Sequence, residues 1–278
     1  MIKWIAMLLM VVDHLGYYLG FLMPRPIELT LRLIGRLSFP IFAYLCAVGF
    51  LRTRNRMQYF LRMLIFACLT QAALQFTSYI TGIPAFTNVM FTFSISILFM
   101  ASSEILELAV HGLRSRSLKI RSGDPGVRHG RVLVLGRSIP DPVAAGSAVF
   151  SMILILAVTE YWDPDYNLFG VLTVYLFYIV LKKFRKPGIL LLADDRAALQ
   201  YMTLGFLGLN IVWAFIGIFI FKTPAYWSIM EIFSVCSIGI LLMDVPRKKP
   251  SVKEKYFFYL FYPLHLAMLM VLRYFLLN

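Results

Sequence analysis

The chain has 278 residues, 60% of them hydrophobic and only 15% charged, with a mean hydropathy of +0.77. A soluble domain carries about 25% charged residues, so this composition excludes a soluble globular core. The net charge of +13, from 27 Lys and Arg against 14 Asp and Glu, would suggest nucleic acid in a soluble protein. Here the basic residues stand in short segments between apolar runs, the pattern of membrane topology, and no nucleic-acid partner is expected.

Crossing about 30 Å of hydrocarbon takes about 20 apolar residues. Nine stretches meet that need, near 4–23, 33–51, 63–80, 86–109, 143–160, 166–181, 200–221, 225–243 and 256–277. The first imitates a secretory signal, with Lys3 ahead of Trp4 to Val12, but it runs on through Asp13 and His14 to Tyr18 without a small-residue cleavage site and is read as a membrane helix. Lys and Arg are retained on the cytoplasmic side. With the N-terminus inside, the cytoplasmic segments hold every basic residue except Arg25, Arg32, Arg36, Lys222 and Arg273. The predicted fold is therefore an all-α, polytopic transmembrane bundle of about nine spans, N-terminus cytoplasmic, forming a single domain over 1–278 in a bacterial cytoplasmic (inner) membrane. Residues 110–142, with seven basic residues and Pro125, Pro140 and Pro142, read as a flexible cytoplasmic loop between spans four and five, held near anionic headgroups. Cys46, Cys68 and Cys236 fall in apolar runs without CxxC spacing and read as small buried side chains.

An ionisable side chain at membrane depth costs at least about 2.5 kcal/mol, so each is a functional candidate. The candidates are Asp13, His14, Arg36, Glu104, Glu107, Glu231 and His265. Glu104 and Glu107 stand at a span end beside the basic segment and read as solvated or ion-paired. At 1.5 Å rise per residue, His14 lies roughly 16 Å in from Lys3 and His265 roughly 14 Å in from Tyr256, so the two imidazoles fall at one level. Lys3 and His14 are eleven residues apart, three helical turns, and share a face. Asp13 points about 100° away from His14, so it is expected to orient an imidazole of another helix or to pair with Arg36. Pro40 is expected to kink the second span.

A cation at the rim below an imidazole at mid-membrane suits a long-armed, phosphate-bearing donor such as coenzyme A. Lys3, Arg56 and Arg62 would hold its phosphates, and a neutral imidazole would act as general base toward an amine or hydroxyl. His14 is the first candidate base, His265 a second base or orienter, Asp13 an orienter, and Arg36 an acceptor or oxyanion contact. A proton-coupled transporter or channel would use the same intramembrane residues. No HxxxH or HExxH spacing is present, and no metal is expected.

The stretches KWIAMLLMVVDHLGYYLG (3–20), RLIGRLSFPIFAYLCAVGF (32–50), NVMFTF (88–93), DYNLFGVLTVYLFY (165–178) and FFYLFYPLHLAML (257–269) resemble the TraX family, whose namesake acetylates the N-terminal amine of pilin. The resemblance implies acetyl-CoA or another acyl-CoA as donor, and an amine or hydroxyl acceptor on a peptide, pilin-like protein, lipid or glycan. TraX proteins are also similar to the acyltransferase-3 group, in which a basic residue precedes a catalytic histidine in the first helix at the spacing that Lys3 and His14 reproduce. That group's RxxR pair is not matched by Arg52, Arg54, Arg56 and Arg62.

Overall fold

The computed structural model describes residues 2–121, 131–134, 137–184, 195–243 and 252–278. The apolar stretches form α1 (Ile2–Leu19), α2 (Arg25–Gly35), α3 (Ser38–Arg52), α4 (Arg56–Thr81), α5 (Val89–Arg121), α6 (Asp141–Trp162), α7 (Asn167–Lys183), α8 (Arg196–Phe219), α9 (Ala225–Ile232), α10 (Ser237–Leu241) and α11 (Val252–Leu277). Among the described residues, 7 helical stretches are long and apolar enough to cross a membrane, and the chain is an all-α, multi-pass membrane protein. Two expected spans differ from the rest. The helix α7 has only 17 residues, and the 225–243 stretch is broken by a 3-10 turn over Phe233–Cys236 between α9 and α10.

The expected span over 33–51 lies within one helical stretch, Arg25–Arg52, in which a two-residue turn at Arg36 and Leu37, both in right-handed helical backbone, separates α2 from α3. Pro40 has no N–H to offer the carbonyl of Arg36, and the regular hydrogen bonding of the stretch is interrupted in the turn before it, where a proline inside a span is expected to disturb the helix. Pro40 itself falls in the first turn of α3, where a missing N–H is not needed. The break brings α2 against α1 at backbone contact. A Cβ built on Gly35 would stand 2.2 Å from the Asp13 Cβ and 2.6 Å from its Cα. Gly35→Ala is therefore expected to force α1 and α2 apart at a cost of about 1–3 kcal/mol, measurable as a lower denaturation midpoint of the detergent-solubilised protein.

The interior is carried by α3, α5 and α7, whose Tyr44, Phe50, Ile97, Met100, Phe177 and Tyr178 are fully buried. The outer helices present large apolar side chains outward, among them Phe150 on α6 and Leu204 on α8. In water such surfaces drive association, whereas in a bilayer the surrounding chains are equally apolar and the side chains stand in a matched solvent.

Within 110–142 the described residues carry regular secondary structure. The helix α5 continues to Arg121, and Arg131–Val134 pairs antiparallel with Arg137–Pro140. Alternation of apolar residues turns Val132 inward onto Ala109 and Ala144; residues 122–130 and 135–136 lie outside the described chain.

Two irregular segments join the helices near the site, 82–88 and 163–166. Backbone without helical partners is tolerated inside a membrane protein only where side chains or water satisfy it. Gln71 does so for the first, donating to the Phe86 carbonyl at 3.2 Å and accepting from the Asn88 backbone N–H at 3.1 Å. The second is tied to the first by the Asp165 N–H, which donates to the Thr87 carbonyl at 3.2 Å, and to α5 by the Thr92 hydroxyl, which donates to the Asp165 carbonyl. Tyr166 adopts a left-handed backbone with φ of 64°, a conformation costing about 1–2 kcal/mol for a residue with a side chain. Its ring stacks on Phe39 at 3.8 Å between centroids, which holds it there.

Candidate functional site

Pairing α1 with α11 brings together the two span histidines that lie 251 positions apart in sequence. His14 Nδ1 and His265 Nε2 are 2.8 Å apart, with ring centroids at 5.0 Å. The other nitrogen of His265, Nδ1, lies 2.9 Å from the Phe261 carbonyl. A carbonyl oxygen only accepts, so His265 Nδ1 carries a proton and donates it to that carbonyl. Neutral His265 then offers an Nε2 lone pair, and His14 Nδ1–H donates to it. One consequence follows for His14: its Nε2 is left with a free lone pair. The carbonyl, the inner imidazole and the outer imidazole thus fix one tautomer in sequence, the arrangement by which a second group sets which nitrogen of a histidine can take a proton. His265 is 5% exposed, whereas His14 lines a cavity.

Three cavities follow one another through this region. One, of about 300 Å³, is lined by Lys3, Thr53, Arg62 and Tyr259 toward the ends of their helices and by Met7, Met10, Leu45 and Met90 deeper in. A central cavity of about 230 Å³ is lined by Asp13, His14, Arg32, Arg36, Asp165 and Tyr166. It shares Met10, Phe42, Val89, Phe93 and Tyr262 with the first. A third, of about 470 Å³, lies beyond and shares Arg36, Phe86, Asp165 and Tyr166 with the central one. Its further lining includes Asp163, Glu231, Trp213 and Trp227. His14 stands in the middle member of the series.

Charged groups of α1 and α2 wall the central cavity, and Arg36, shared with the third cavity, meets Glu231 of α9 there. Arg32 Nη1 donates to Asp13 Oδ2 at 2.6 Å, and Arg36 Nη1 meets Glu231 Oε2 at 3.3 Å. Trp227 lies under both guanidinium groups, at 5.9 and 6.0 Å from its ring centre. Asp13 Oδ1, Arg36 Nε and Glu231 Oε1 are buried without a hydrogen-bond partner among the described residues. Buried polar atoms are nearly always satisfied, so these three mark a place where a polar guest or water is accommodated. Asp165, in the 163–166 connection, is pushed up to about 7 by burial, against the lowering pull of Arg36.

The predicted residues are placed as follows. His14 and His265 meet. Asp13 orients neither imidazole and forms no ion pair with Arg36; its carboxylate is taken by Arg32, which stands outside the candidates named from the sequence. A signal for Arg32 was present, since it precedes Arg36 by four residues and so shares its helix face. Arg36 faces both the central and the third cavity. Lys3 and Arg62 line the first cavity, with Lys3 over the Phe258 ring at 5.4 Å and Arg62 over Tyr59 at 5.6 Å. Arg56 does not line it: its guanidinium is held by Glu104 at 3.2 Å and by the Thr53 carbonyl. Tyr166, Asp165 and Tyr262 also line the central cavity; the sequence marks them as polar groups near span ends and, for Tyr262, at the entrance of the last helix, but that they meet at one cavity is decided by packing.

A family model described as TraX protein matches residues 1–112 and 134–273. No curated protein and no solved structure matches the chain.

Proposed function

The chain belongs to the TraX family, and from that premise we propose that it is a membrane-embedded acyltransferase, in the simplest case an acetyltransferase. It takes the acyl group of cytoplasmic acyl-CoA and transfers it to an amine or hydroxyl acceptor at the membrane or outside it. The observation that carries this reading is the His14–His265 hydrogen bond, set in the middle of three adjoining cavities.

The distribution of Lys and Arg supports placing the Lys3 end of the bundle in the cytoplasm. Lys3 and Arg62 then meet the phosphates of the donor, and the apolar first cavity takes its thioester arm toward His14. The acceptor enters from the third cavity, where Asp163, Asp165 and Glu231 with Trp213 and Trp227 favour a cationic amine over a neutral hydroxyl. His14 Nε2 takes a proton from the attacking nitrogen or oxygen as that atom's electron pair forms a bond to the thioester carbonyl carbon. The tetrahedral intermediate then expels sulfur, and the proton on His14 passes to the leaving thiolate, giving an amide or ester and free CoA thiol. His265 keeps His14 in the right tautomer throughout. An amine arriving as ammonium first loses one further proton, for which Asp165 is placed.

The reading is tested with purified protein in liposomes by following acetyl-CoA-dependent release of free thiol and labelling of an added amine-bearing peptide. Lys3→Ala together with Arg62→Ala is expected to raise the KM for acetyl-CoA by roughly tenfold or more, since two charge-assisted phosphate contacts of about 1 kcal/mol each are removed, while leaving kcat largely intact. An unchanged KM would remove the first cavity as the donor site. The series of cavities also favours a second reading, a proton-coupled conduit through Asp13, His14, Glu231 and His265. Proton or solute flux across the liposome membrane without acyl-CoA, with no thiol released in its presence, would decide for it.

A further inference from the structure

Tyr262 lies on α11 three residues before His265, 93% buried by its 7% exposure, with its ring centre 5.8 Å from the imidazole. Its hydroxyl oxygen accepts a hydrogen bond from the Val89 backbone N–H at 3.4 Å. That N–H is the first of α5, a helix of 33 residues, whose leading N–H groups have no partner inside the helix. The next two are provided for locally: Met90 N–H donates to Asn88 Oδ1 at 3.1 Å and Phe91 N–H to the Asn88 carbonyl at 3.2 Å. Val89 N–H turns instead to the phenol.

A phenol that accepts through its oxygen still has its own proton to give. Among the described residues no acceptor takes it. Tyr262 and Val89 both line the first cavity and the central cavity, so this buried donor stands where the two join. In the acyltransferase reading, on which this inference rests, that junction is where the thioester carbonyl meets His14.

We propose that Tyr262 is a catalytic residue that donates a hydrogen bond to the carbonyl oxygen of the acyl thioester. As the acceptor's electron pair bonds to the carbonyl carbon, the π pair moves onto oxygen, and the Tyr262 hydroxyl holds that charge without surrendering its proton. When the pair returns, the C–S bond breaks and the thiolate leaves. The Val89 N–H and the positive end of α5 polarise the phenol in the direction that strengthens its donation. His265 and Tyr262 share one helix, so the histidine pair and the donor are held in fixed relation to each other.

The test uses the full-length protein in liposomes with acetyl-CoA, and with the methyl ketone analogue in which a methylene replaces the thioester sulfur. Tyr262→Phe is expected to lower kcat by about 10²–10³-fold with an unchanged KM for acetyl-CoA. The infrared carbonyl stretch of the bound ketone is expected below its frequency in aprotic solvent for the wild type, and back at that frequency for Tyr262→Phe. Full-speed turnover by the variant, or the same stretch in both proteins, would overturn the proposal. Should the variant fail to fold, the wild-type spectrum decides alone, since an unshifted stretch leaves no donor at the carbonyl. If wild-type protein releases no thiol, the acyltransferase reading itself falls; if it does, His14→Ala does not, and Tyr262→Phe does so at full rate, only the role of Tyr262 is lost.

Discussion

His14→Ala is expected to lower acyl transfer by about 10²–10⁴-fold, the usual contribution of a positioned general base, with the protein still folded. Its Nε2 is the free lone pair of the pair of imidazoles, because Nδ1 is spent on His265. His265→Ala acts differently. It removes the acceptor that keeps the proton on His14 Nδ1, so His14 remains but loses its fixed tautomer and orientation. The single loss should be smaller than that of His14→Ala, and the double variant no slower than His14→Ala alone, because residues that act as one unit are not additive. Initial rates of thiol release for the three variants, at saturating acetyl-CoA, measure this. Fully additive losses would mean that the two imidazoles act in separate steps, and a wild-type rate for His14→Ala would remove it as the base.

The second large effect is on stability. Arg36→Met should cost about 3–5 kcal/mol, because it leaves the Glu231 carboxylate in the protein interior without its counter-charge. The pair spans 3.3 Å, with its side chains 17% and 18% exposed, and its neighbours offer no substitute: Arg32 is engaged by Asp13. Adding Glu231→Gln to Arg36→Met removes the stranded charge and should recover most of the loss. A double-mutant cycle on chemical denaturation in mild detergent gives the coupling directly, and independent, additive effects would show that the ion pair is not what holds α9 to the break between α2 and α3. Because Arg36 and Glu231 also line the third cavity, the restored double variant separates folding from acceptor use: it should be stable and still impaired in transfer to an amine.

Much of the architecture was legible because hydrocarbon thickness imposes a length on every crossing helix, and an apolar run of that length is visible without any packing. The nine stretches found by that ruler each coincide with helical structure. The two that fall short of a full crossing, α7 and the broken 225–241 stretch, are ones in which apolar composition alone does not show where backbone hydrogen bonding is interrupted. The break at Arg36 and Leu37 was half legible. Pro40 signalled that a carbonyl would lose its partner, whereas the close approach of Gly35 to Asp13 on α1 is a contact that only packing makes.

At the site, rise per residue was enough to set His14 and His265 at one level and to put Lys3 on the face of His14, since these are properties of single helices. Partnership was not. Asp13 lay within reach of more than one cation, and packing gives it Arg32 while Arg36 meets Glu231 on α9. Arg56 carried the charge expected of a phosphate contact, yet Glu104 on α5 holds it. Local sequence therefore determined which charged and polar groups fall within apolar helices and on which face of their own helix, because helix geometry and the cost of burying charge act within one segment. Only the tertiary structure decided which of them meet, and with that which nitrogen of His14 is free, because a hydrogen bond reaches about 3 Å and helix packing alone sets what lies within that distance.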